Sequence, residues 1–212
     1  MSKDYFDKIA NNWDNLQASF FSSCVRDRAF TFANLKPKCI AADIGSGTGF
    51  ITEGLINKGL KVIAVDQSKA MLDQMRTKFK NESDIDYRLT SSTKLPIENN
   101  SVDYVFANMY LHHVESPFDA IMEMMRILKH GGKMIITDLD EHKFEFLRTE
   151  QHDKWLGFKK AIIKKWFYDI NLQNIFVDCI GENCCAESDS GDELASVSIF
   201  IAYGEKGINP SI

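Results

Sequence analysis

Long apolar runs are absent from the chain, since no stretch approaches the roughly 18 residues that a membrane-spanning helix needs. An excess of positive charge is absent too, because 25 Lys and Arg stand against 30 Asp and Glu and the net charge is −5. This balance gives no electrostatic reason to expect nucleic acid as a partner. The first residues also lack the apolar region of a secretion signal. We therefore expect a cytoplasmic protein without nucleic-acid or membrane partners.

Cysteine is scarce, and its five copies are an odd number, which predicts free thiols rather than a disulfide framework. Cys184 and Cys185 are adjacent, and neighbouring thiolates can bind a thiophilic metalloid. Neighbouring residues of a strand point to opposite faces, so this pair would bind one ion only in a distorted turn. We expect a structural role for the pair.

Short apolar runs alternate with helical patterns from Cys39 onward, in a chain of 212 residues that suits one domain. Repeated β-α units with near-continuous apolar strands predict an α/β fold built on a parallel sheet. The polar stretch 187–193 between the last two apolar runs predicts an antiparallel hairpin. The predicted strands are residues 39–42, 61–66, 85–89, 102–107, 133–137, 175–180 and 195–203.

Helix signals flank these strands. Ser68 is the expected N-cap of a helix that runs to about Phe79. Pro117 opens another helix, which the glycine pair 131–132 is expected to stop. Further helical patterns cover residues 6–16, 22–34 and 158–170.

Aromatic residues are frequent in residues 1–37, which we predict to be a helical segment in front of a core that spans residues 38–206. These aromatic side chains either pack in the core or cover a site and exclude water from it. Under the second interpretation, Tyr5 and Trp13 are candidate substrate contacts.

The most informative stretch is a glycine-rich turn between the first predicted strand and the helix that follows it. Asp43 stands at the strand end, and Gly45, Ser46, Gly47, Thr48 and Gly49 form the turn. Glycine permits positive φ and close approach of a ligand to the backbone, and the next helix presents free N–H groups. The spacing G-x-G-x-G departs from the dinucleotide fingerprint G-x-G-x-x-G. An oxidoreductase that uses a nicotinamide cofactor is therefore an alternative of second rank.

Polar residues follow two more strands. Asp66 ends the second predicted strand, where an acidic residue of a doubly wound fold can accept hydrogen bonds from a ribose diol. Gln67 and Met71 follow it, and Met71 can pack on an adenine face. Asn108 follows the fourth strand, and His112 and His113 come just after it. These histidines are candidate bases, whereas metal binding needs more ligands than the pair supplies.

These motifs, in this order, resemble class I S-adenosylmethionine (SAM) methyltransferases, in particular the ubiquinone/menaquinone-biosynthesis type (methyltransferase type 11). The resemblance covers about residues 40–140. It implies a Rossmann-like, doubly wound sheet of seven strands with the last one antiparallel, SAM as cofactor and S-adenosylhomocysteine as product. It further implies that the glycine turn wraps the methionine part of SAM and that a small-molecule acceptor takes the methyl group by direct displacement. A metalloid or thiol acceptor bound by cysteines and a non-catalytic SAM-binding protein stay open as alternatives.

Two more stretches take their meaning from the resemblance. The segment 90–97 is similar to the family's G-D-A-x-x-L-P-F stretch, although Ser91 stands where the family has Asp. By this resemblance, Ser91 and Ser92 contact the adenine edge. The segment 142–158 resembles part of methyltransferases associated with ArsR-type metalloregulators and is expected to border the substrate pocket. Arg148 is its candidate substrate contact.

Overall fold

A seven-stranded sheet forms the framework of the computed structural model, which describes residues 2–90 and 94–208. The strands are β1 (Ile40–Ile44), β2 (Lys61–Asp66), β3 (Ile85–Leu89), β4 (Val102–Asn108), β5 (Leu128–Leu139), β6 (Leu172–Glu187) and β7 (Leu194–Lys206). Their order across the sheet is β3-β2-β1-β4-β5-β7-β6. The first five strands are parallel, and β7 runs antiparallel to both β5 and β6. The predicted fold class and the reversed last strand are confirmed.

Helices cover both faces of the sheet. They are α1 (Ser2–Ile9), α2 (Trp13–Phe20), α3 (Cys24–Ala33), α4 (Phe50–Asn57), α5 (Lys69–Lys78), α6 (Pro117–Ile127), α7 (Phe146–Glu150) and α8 (Lys160–Asp169). Alternate residues of a strand point to opposite faces, so Ala41 packs in one hydrophobic cluster and Ala42 in the other. Within the described residues, none of the helices combines the length and the apolar character that crossing a membrane requires.

The predicted boundaries are met most closely in the centre of the sheet. β2 and β3 have the predicted bounds, and the Ser68 hydroxyl caps α5 by accepting a hydrogen bond from the Met71 backbone N–H at 3.1 Å. The expected helix over residues 6–16 is interrupted by a 3-10 turn at Ala10–Asn12. The helix that begins at Pro117 ends at Ile127 rather than at the glycine pair, because Leu128 already pairs with Val102 of β4.

The last two strands are much longer than the apolar runs that predicted them. β6 has 16 residues and β7 has 13, and together they form a hairpin that includes Cys184 and Cys185. The tip of this hairpin is the predicted polar loop 187–193. Their extra length carries the hairpin past the end of the parallel strands, where it contributes to the wall of a cavity.

Strand order reverses between the neighbours β1 and β4. In open α/β sheets, ligands bind outside the carboxyl ends of the strands at such a switch point. The glycine turn leaves β1 there, and Asn108 ends β4 there. The topology therefore places the glycine turn and Asn108, which are about 60 positions apart in the sequence, at the same edge of the sheet.

Candidate functional site

A cavity of about 340 Å³ lies at the switch point, within the size range of small-molecule sites. α1 and α2 cover it from one side, and the β6–β7 hairpin and the segment after β5 close it from others. The predicted residues that line it are Tyr5, Trp13, Asp43, Gly45, Ser46, Gly47, Asp66, Gln67, Met71, Asn108, His112 and His113. Ser91 and Ser92 lie outside the described residues.

Three predicted residues do not line the cavity. Thr48 is buried and donates its hydroxyl hydrogen bond to Asp14 of α2. Gly49 packs so closely against the Phe79 ring that a Cβ at this position would lie 2.6 Å from the ring. Arg148 is exposed, and its guanidinium group contacts Glu145 and the Lys154 carbonyl group. Both partners belong to the segment that carries Arg148 itself, and the contact of Arg148 with a substrate stays a prediction.

The glycine turn is tight and faces the cavity. Gly45 and Gly47 have φ values of +71° and +53°, in the left-handed region that favours glycine. A Cβ at Gly45 would lie 2.4 Å from the Tyr110 ring. The backbone N–H groups of Gly45 and Ser46 both donate to the Val65 carbonyl oxygen, at 2.9 and 3.1 Å. The turn is thus fixed by β2 on one side and by Tyr110 on the other.

Asp43 anchors the turn to α4. Its Oδ2 accepts hydrogen bonds from the backbone N–H and the hydroxyl group of Thr52, at 3.0 and 2.6 Å. Burial raises the pKa of Asp43 to about 7, although the bonds from Thr52 oppose this shift. Asp43 therefore positions the turn, and its oxygen that bonds Thr52 is already engaged.

Asp66, at the end of β2, is a buried carboxylate in the lining of the cavity. Its Oδ2 accepts a hydrogen bond from the backbone N–H of Gly47 and its Oδ1 accepts one from the backbone N–H of Ser68, both at 2.8 Å. The backbone N–H of Gln67 is a further donor to this carboxylate. Burial raises its pKa above the usual range. A carboxylate oxygen can accept more than one hydrogen bond, so both oxygens retain capacity for the hydroxyl groups of a ribose.

The environment of the Ser46 hydroxyl group indicates that an anionic or polar ligand fits the turn. Its hydroxyl group is buried and has no hydrogen-bond partner within the part of the chain that the structure describes. Buried polar groups are nearly always satisfied, and an exception calls for an explanation. A ligand with a carboxylate or an amine at the turn would supply the missing partner.

The other end of the cavity is built on a buried Asp–His contact. Asp138, at the end of β5, accepts from His112 Nδ1 at 2.6 Å and from the backbone N–H groups of Leu111 and Leu139 at 2.8 Å. The pKa of His112 is raised to about 9, so its ring carries a proton on Nδ1 at neutral pH. Its Nε2 atom lies 3.7 Å from Asp153 Oδ1.

The second histidine has a different electrostatic environment. Burial lowers the pKa of His112, but the carboxylates of Asp138 and Asp153 outweigh this and raise it to about 9. Burial and the neighbouring His112 lower the pKa of His113 well below its usual range. Burial raises the pKa of Asp153 to about 6. The adjacent histidines, with ring centres 4.0 Å apart, thus differ in charge at neutral pH.

Sequence reasoning missed Asp153 and Tyr110 and gave Asp138 no role. Asp153 follows a polar segment without periodicity, so no pattern indicated that it is buried. Asp138 directly follows a predicted strand, and its position at a strand end was the one available signal. The cavity wall formed by Gln151, Asp153 and Lys154 agrees with the expectation that segment 142–158 borders the pocket.

The adjacent cysteines face different surroundings. Cys184 lines the cavity, and burial raises the pKa of its thiol to about 12. Cys185 is exposed and lies 3.7 Å from the Ser196 hydroxyl group. β6 is regular here, since both residues pair with β7, so the two sulfur atoms are not available to one ion.

Comparison with known proteins places these features in context. A sequence profile described as a methyltransferase domain matches residues 42–136. A demethylmenaquinone methyltransferase of Renibacterium salmoninarum is 35% identical over 107 residues, which cover 50% of this chain and 44% of that protein. A malonyl-acyl-carrier-protein O-methyltransferase of Marinomonas sp. is 27% identical over 173 residues, which cover 80% of this chain and 57% of that protein. The chain therefore spans about half the length of these curated relatives.

A solved structure has the same fold over its whole length. It is a chain of the complex between the Haloferax volcanii Trm112 methyltransferase activator and a methyltransferase. The TM-score is 0.81 at 17% sequence identity, and the alignment covers 100% of both chains. At this identity the likeness shows the fold alone.

Proposed function

The chain belongs to the class I SAM-dependent methyltransferases, and from this premise we propose that it transfers the methyl group of SAM to a small-molecule acceptor in the cavity. SAM is the cofactor of this family, and when bound it supplies a methyl group on a positively charged sulfur. The proposal rests on one continuous cavity, whose lining includes the glycine turn and Asp66 as well as His112 and His113.

The cofactor would be held by the residues of the turn and of β2. The unpartnered Ser46 hydroxyl group and the turn backbone would hold the methionine part, and Asp66 the ribose hydroxyl groups. Met71, which is buried and lines the cavity, would pack on the adenine ring. Gln67 and Asn108 complete this set, and we keep Ser91 and Ser92 as candidate adenine contacts.

The acceptor would lie between the N-terminal helices and the histidines. Phe6 packs edge-on against His113 with ring centres 5.0 Å apart, and Trp13 packs edge-on against Phe6 at 5.5 Å. Tyr5 and Trp13 therefore remain the proposed substrate contacts, together with His113. Aromatic walls exclude water, and a methyl transfer from a sulfonium can proceed largely by positioning and desolvation.

The cofactor assignment is tested by calorimetric titration of the protein with SAM and with S-adenosylhomocysteine. We expect micromolar binding by the unaltered protein and at least about tenfold weaker binding by Asp66→Ala, since charged hydrogen bonds contribute roughly 1.5–3 kcal/mol each. Asp86→Ala is the matched control, because Asp86 lies on β3, outside the cavity lining, and pairs with Arg88. Tight binding of NADH without binding of SAM would favour an oxidoreductase instead.

Activity needs a separate experiment. Purified protein with labelled SAM is incubated with a panel of phenols, thiols, metalloids and quinone precursors. Transfer of label to one class identifies the acceptor. Binding of SAM without transfer to any acceptor would favour a non-catalytic SAM-binding protein.

A further inference from the structure

We propose that His112, His113 and Asp153 form a binding site for a divalent transition-metal cation in the wall of the cavity. The sequence by itself offers only the two adjacent histidines, which are too few ligands. The fold adds a carboxylate from 40 positions further along the chain. Among the described residues, these three bring candidate ligand atoms within 4.8 Å of one another, and all three line the cavity.

The distances suit a cation with one remaining open position. Asp153 Oδ1 lies 3.7 Å from His112 Nε2 and 3.6 Å from His113 Nδ1. Zinc bonds of about 2.0–2.2 Å separate two tetrahedral ligand atoms by roughly 3.3–3.5 Å. The two separations from Asp153 exceed this spacing by only a few tenths of an ångström, and all the candidate ligand atoms lie within 4.8 Å of one another.

Asp138 supplies the support that metal-binding histidines usually have. It accepts from His112 Nδ1 at 2.6 Å and is itself held by two backbone N–H groups. This contact fixes the ring and directs the other nitrogen, Nε2, to Asp153. A carboxylate behind a ligating histidine is the common arrangement in zinc sites, where it orients the ring and raises its basicity.

His113 provides an independent observation that points to a ligand. Its Nδ1 atom is buried and has no hydrogen-bond partner within the described part of the chain, although a carboxylate oxygen lies 3.6 Å away. A cation between the two would satisfy both atoms. An unsatisfied buried nitrogen in a native protein requires such an explanation.

The backbone holds Asp153 in place at some cost. His152, directly before it, has φ +60°, and non-glycine residues in this region are strained by about 1–3 kcal/mol. The N–H groups of Lys154 and Trp155 both donate to the His112 carbonyl oxygen, at 2.9 and 3.1 Å. These hydrogen bonds fasten the segment to the backbone of His112, and Asp153 therefore lies beside both histidine rings.

Two histidines and one carboxylate with an open position are typical of catalytic zinc sites and of non-haem Fe(II) sites. The open position faces the space where we place the acceptor, so this consequence rests on the proposed function. A hydroxyl or thiol acceptor would bind the cation and lose its proton to water. Its oxygen or sulfur atom would then bond the methyl carbon, and the carbon–sulfur bond of the donor would break with the electron pair left on sulfur.

Metal binding is measured on the full chain without SAM, by calorimetry with Zn²⁺ and by absorption with Co²⁺. We expect one tight site in the unaltered protein and at least about tenfold weaker binding by Asp153→Asn, since even outer-shell changes cost 10–100-fold in metal affinity. His130→Gln is the control, because His130 is exposed and bonds the Gly207 carbonyl oxygen, outside the cavity lining. If Asp153→Asn does not fold, His113→Gln tests the same site.

The cysteines are the competing ligands. The double variant Cys184→Ser, Cys185→Ser should keep the tight site, and the Co²⁺ spectrum should lack a thiolate charge-transfer band. Absence of tight binding, or its loss in the double cysteine variant but not in Asp153→Asn, would overturn the proposal. SAM titration of the metal-free protein is independent of this result, so failure of the metal site and failure of the cofactor assignment are distinguishable.

Discussion

Gly45 shows how one residue connects the backbone geometry of the turn to the cavity. It needs positive φ, and the space beside its Cα is filled by the Tyr110 ring. Burial raises the pKa of Tyr110 to about 12, so this ring is a neutral wall of the site. Any side chain at Gly45 would displace a group that borders both the turn and the cavity.

We predict that Gly45→Ala weakens SAM binding at least about tenfold, because the new Cβ would lie 2.4 Å from Tyr110. Gly59→Ala is the control, since Gly59 also has positive φ and its Cβ would meet only Pro37, at 3.6 Å. Both variants bear the strain of a left-handed alanine, about 1–2 kcal/mol. Calorimetry and thermal unfolding of the pair separate the clash from the strain, and equal SAM affinity in both would contradict the prediction.

Asp43 predicts how stability depends on pH. Its pKa rises from 3.8 in the unfolded chain to about 7 in the fold, so the folded state holds the proton more tightly. This contribution to stability is complete below pH 4 and is lost as the pH rises to about 7, with a slope of up to about 1.4 kcal/mol per pH unit.

The Asp43→Asn variant should therefore show a smaller decrease in the free energy of unfolding between pH 4 and pH 7. Asparagine keeps an oxygen that can accept one bond from Thr52 but does not titrate. Urea unfolding at several pH values measures the difference, with Asp119→Asn on the exposed side of α6 as control. Parallel curves for the unaltered protein and Asp43→Asn would show that Asp43 is not responsible.

At the scale of elements, the cover of the cavity is assembled from parts that are distant in sequence. α1 is tied to the segment after β5 by the Tyr5 hydroxyl group, which donates to Gln151 Oε1 at 2.9 Å. It is tied to α5 by Asp7, which accepts from the Ser68 hydroxyl group at 2.5 Å. These two polar contacts hold α1 in its place over the cavity.

We predict that Tyr5→Phe loosens α1 without unfolding the core. Loss of one hydrogen bond costs about 1 kcal/mol, which corresponds to roughly fivefold faster amide exchange in residues 2–9 if exchange occurs by local opening. Tyr168→Phe is the control, because Tyr168 is 60% exposed. Hydrogen–deuterium exchange of both variants checks this, and unchanged exchange in α1 would show that the contact does not hold the cover.

At the scale of the whole molecule, the cavity is closed on one side by the first 20 residues and on another by the last two strands. A ligand that fills it contacts both ends of the chain and the centre of the sheet. Binding should therefore stabilise the fold as a unit.

We predict that SAM at 100 times its dissociation constant stabilises the protein by about 2.7 kcal/mol. For a chain of this length, that raises the midpoint of thermal unfolding by roughly 5–11 °C. Scanning fluorimetry with SAM, S-adenosylhomocysteine and NADH measures the shift. The same SAM concentration should stabilise Asp66→Ala by at most about 1.4 kcal/mol, since tenfold weaker binding leaves the ligand at about 10 times the dissociation constant. An equal shift in that variant would remove Asp66 from the site.

The positions of the strands, the glycine turn and the placement of Asp66 at the end of a strand could be predicted from the sequence alone, because these features depend on local patterns. Apolar runs specify buried strands, and G-x-G-x-G specifies a tight turn wherever the rest of the chain lies. The N-cap of α5 at Ser68 could likewise be predicted from a local pattern. The predicted helix end at the glycine pair was wrong, since pairing of Leu128 with β4 overrides the local signal for a helix stop.

Only the tertiary structure decided the other end of the site. Asp138 faces His112 because β5 lies beside β4, and Asp153 reaches both histidines because its segment is bonded back to the His112 carbonyl group. Such contacts join residues 26 to 41 positions apart and leave no periodicity to read. Arg148 in the same segment points elsewhere for the same reason: which polar side chain turns inward is set by packing and backbone strain, not by residue type.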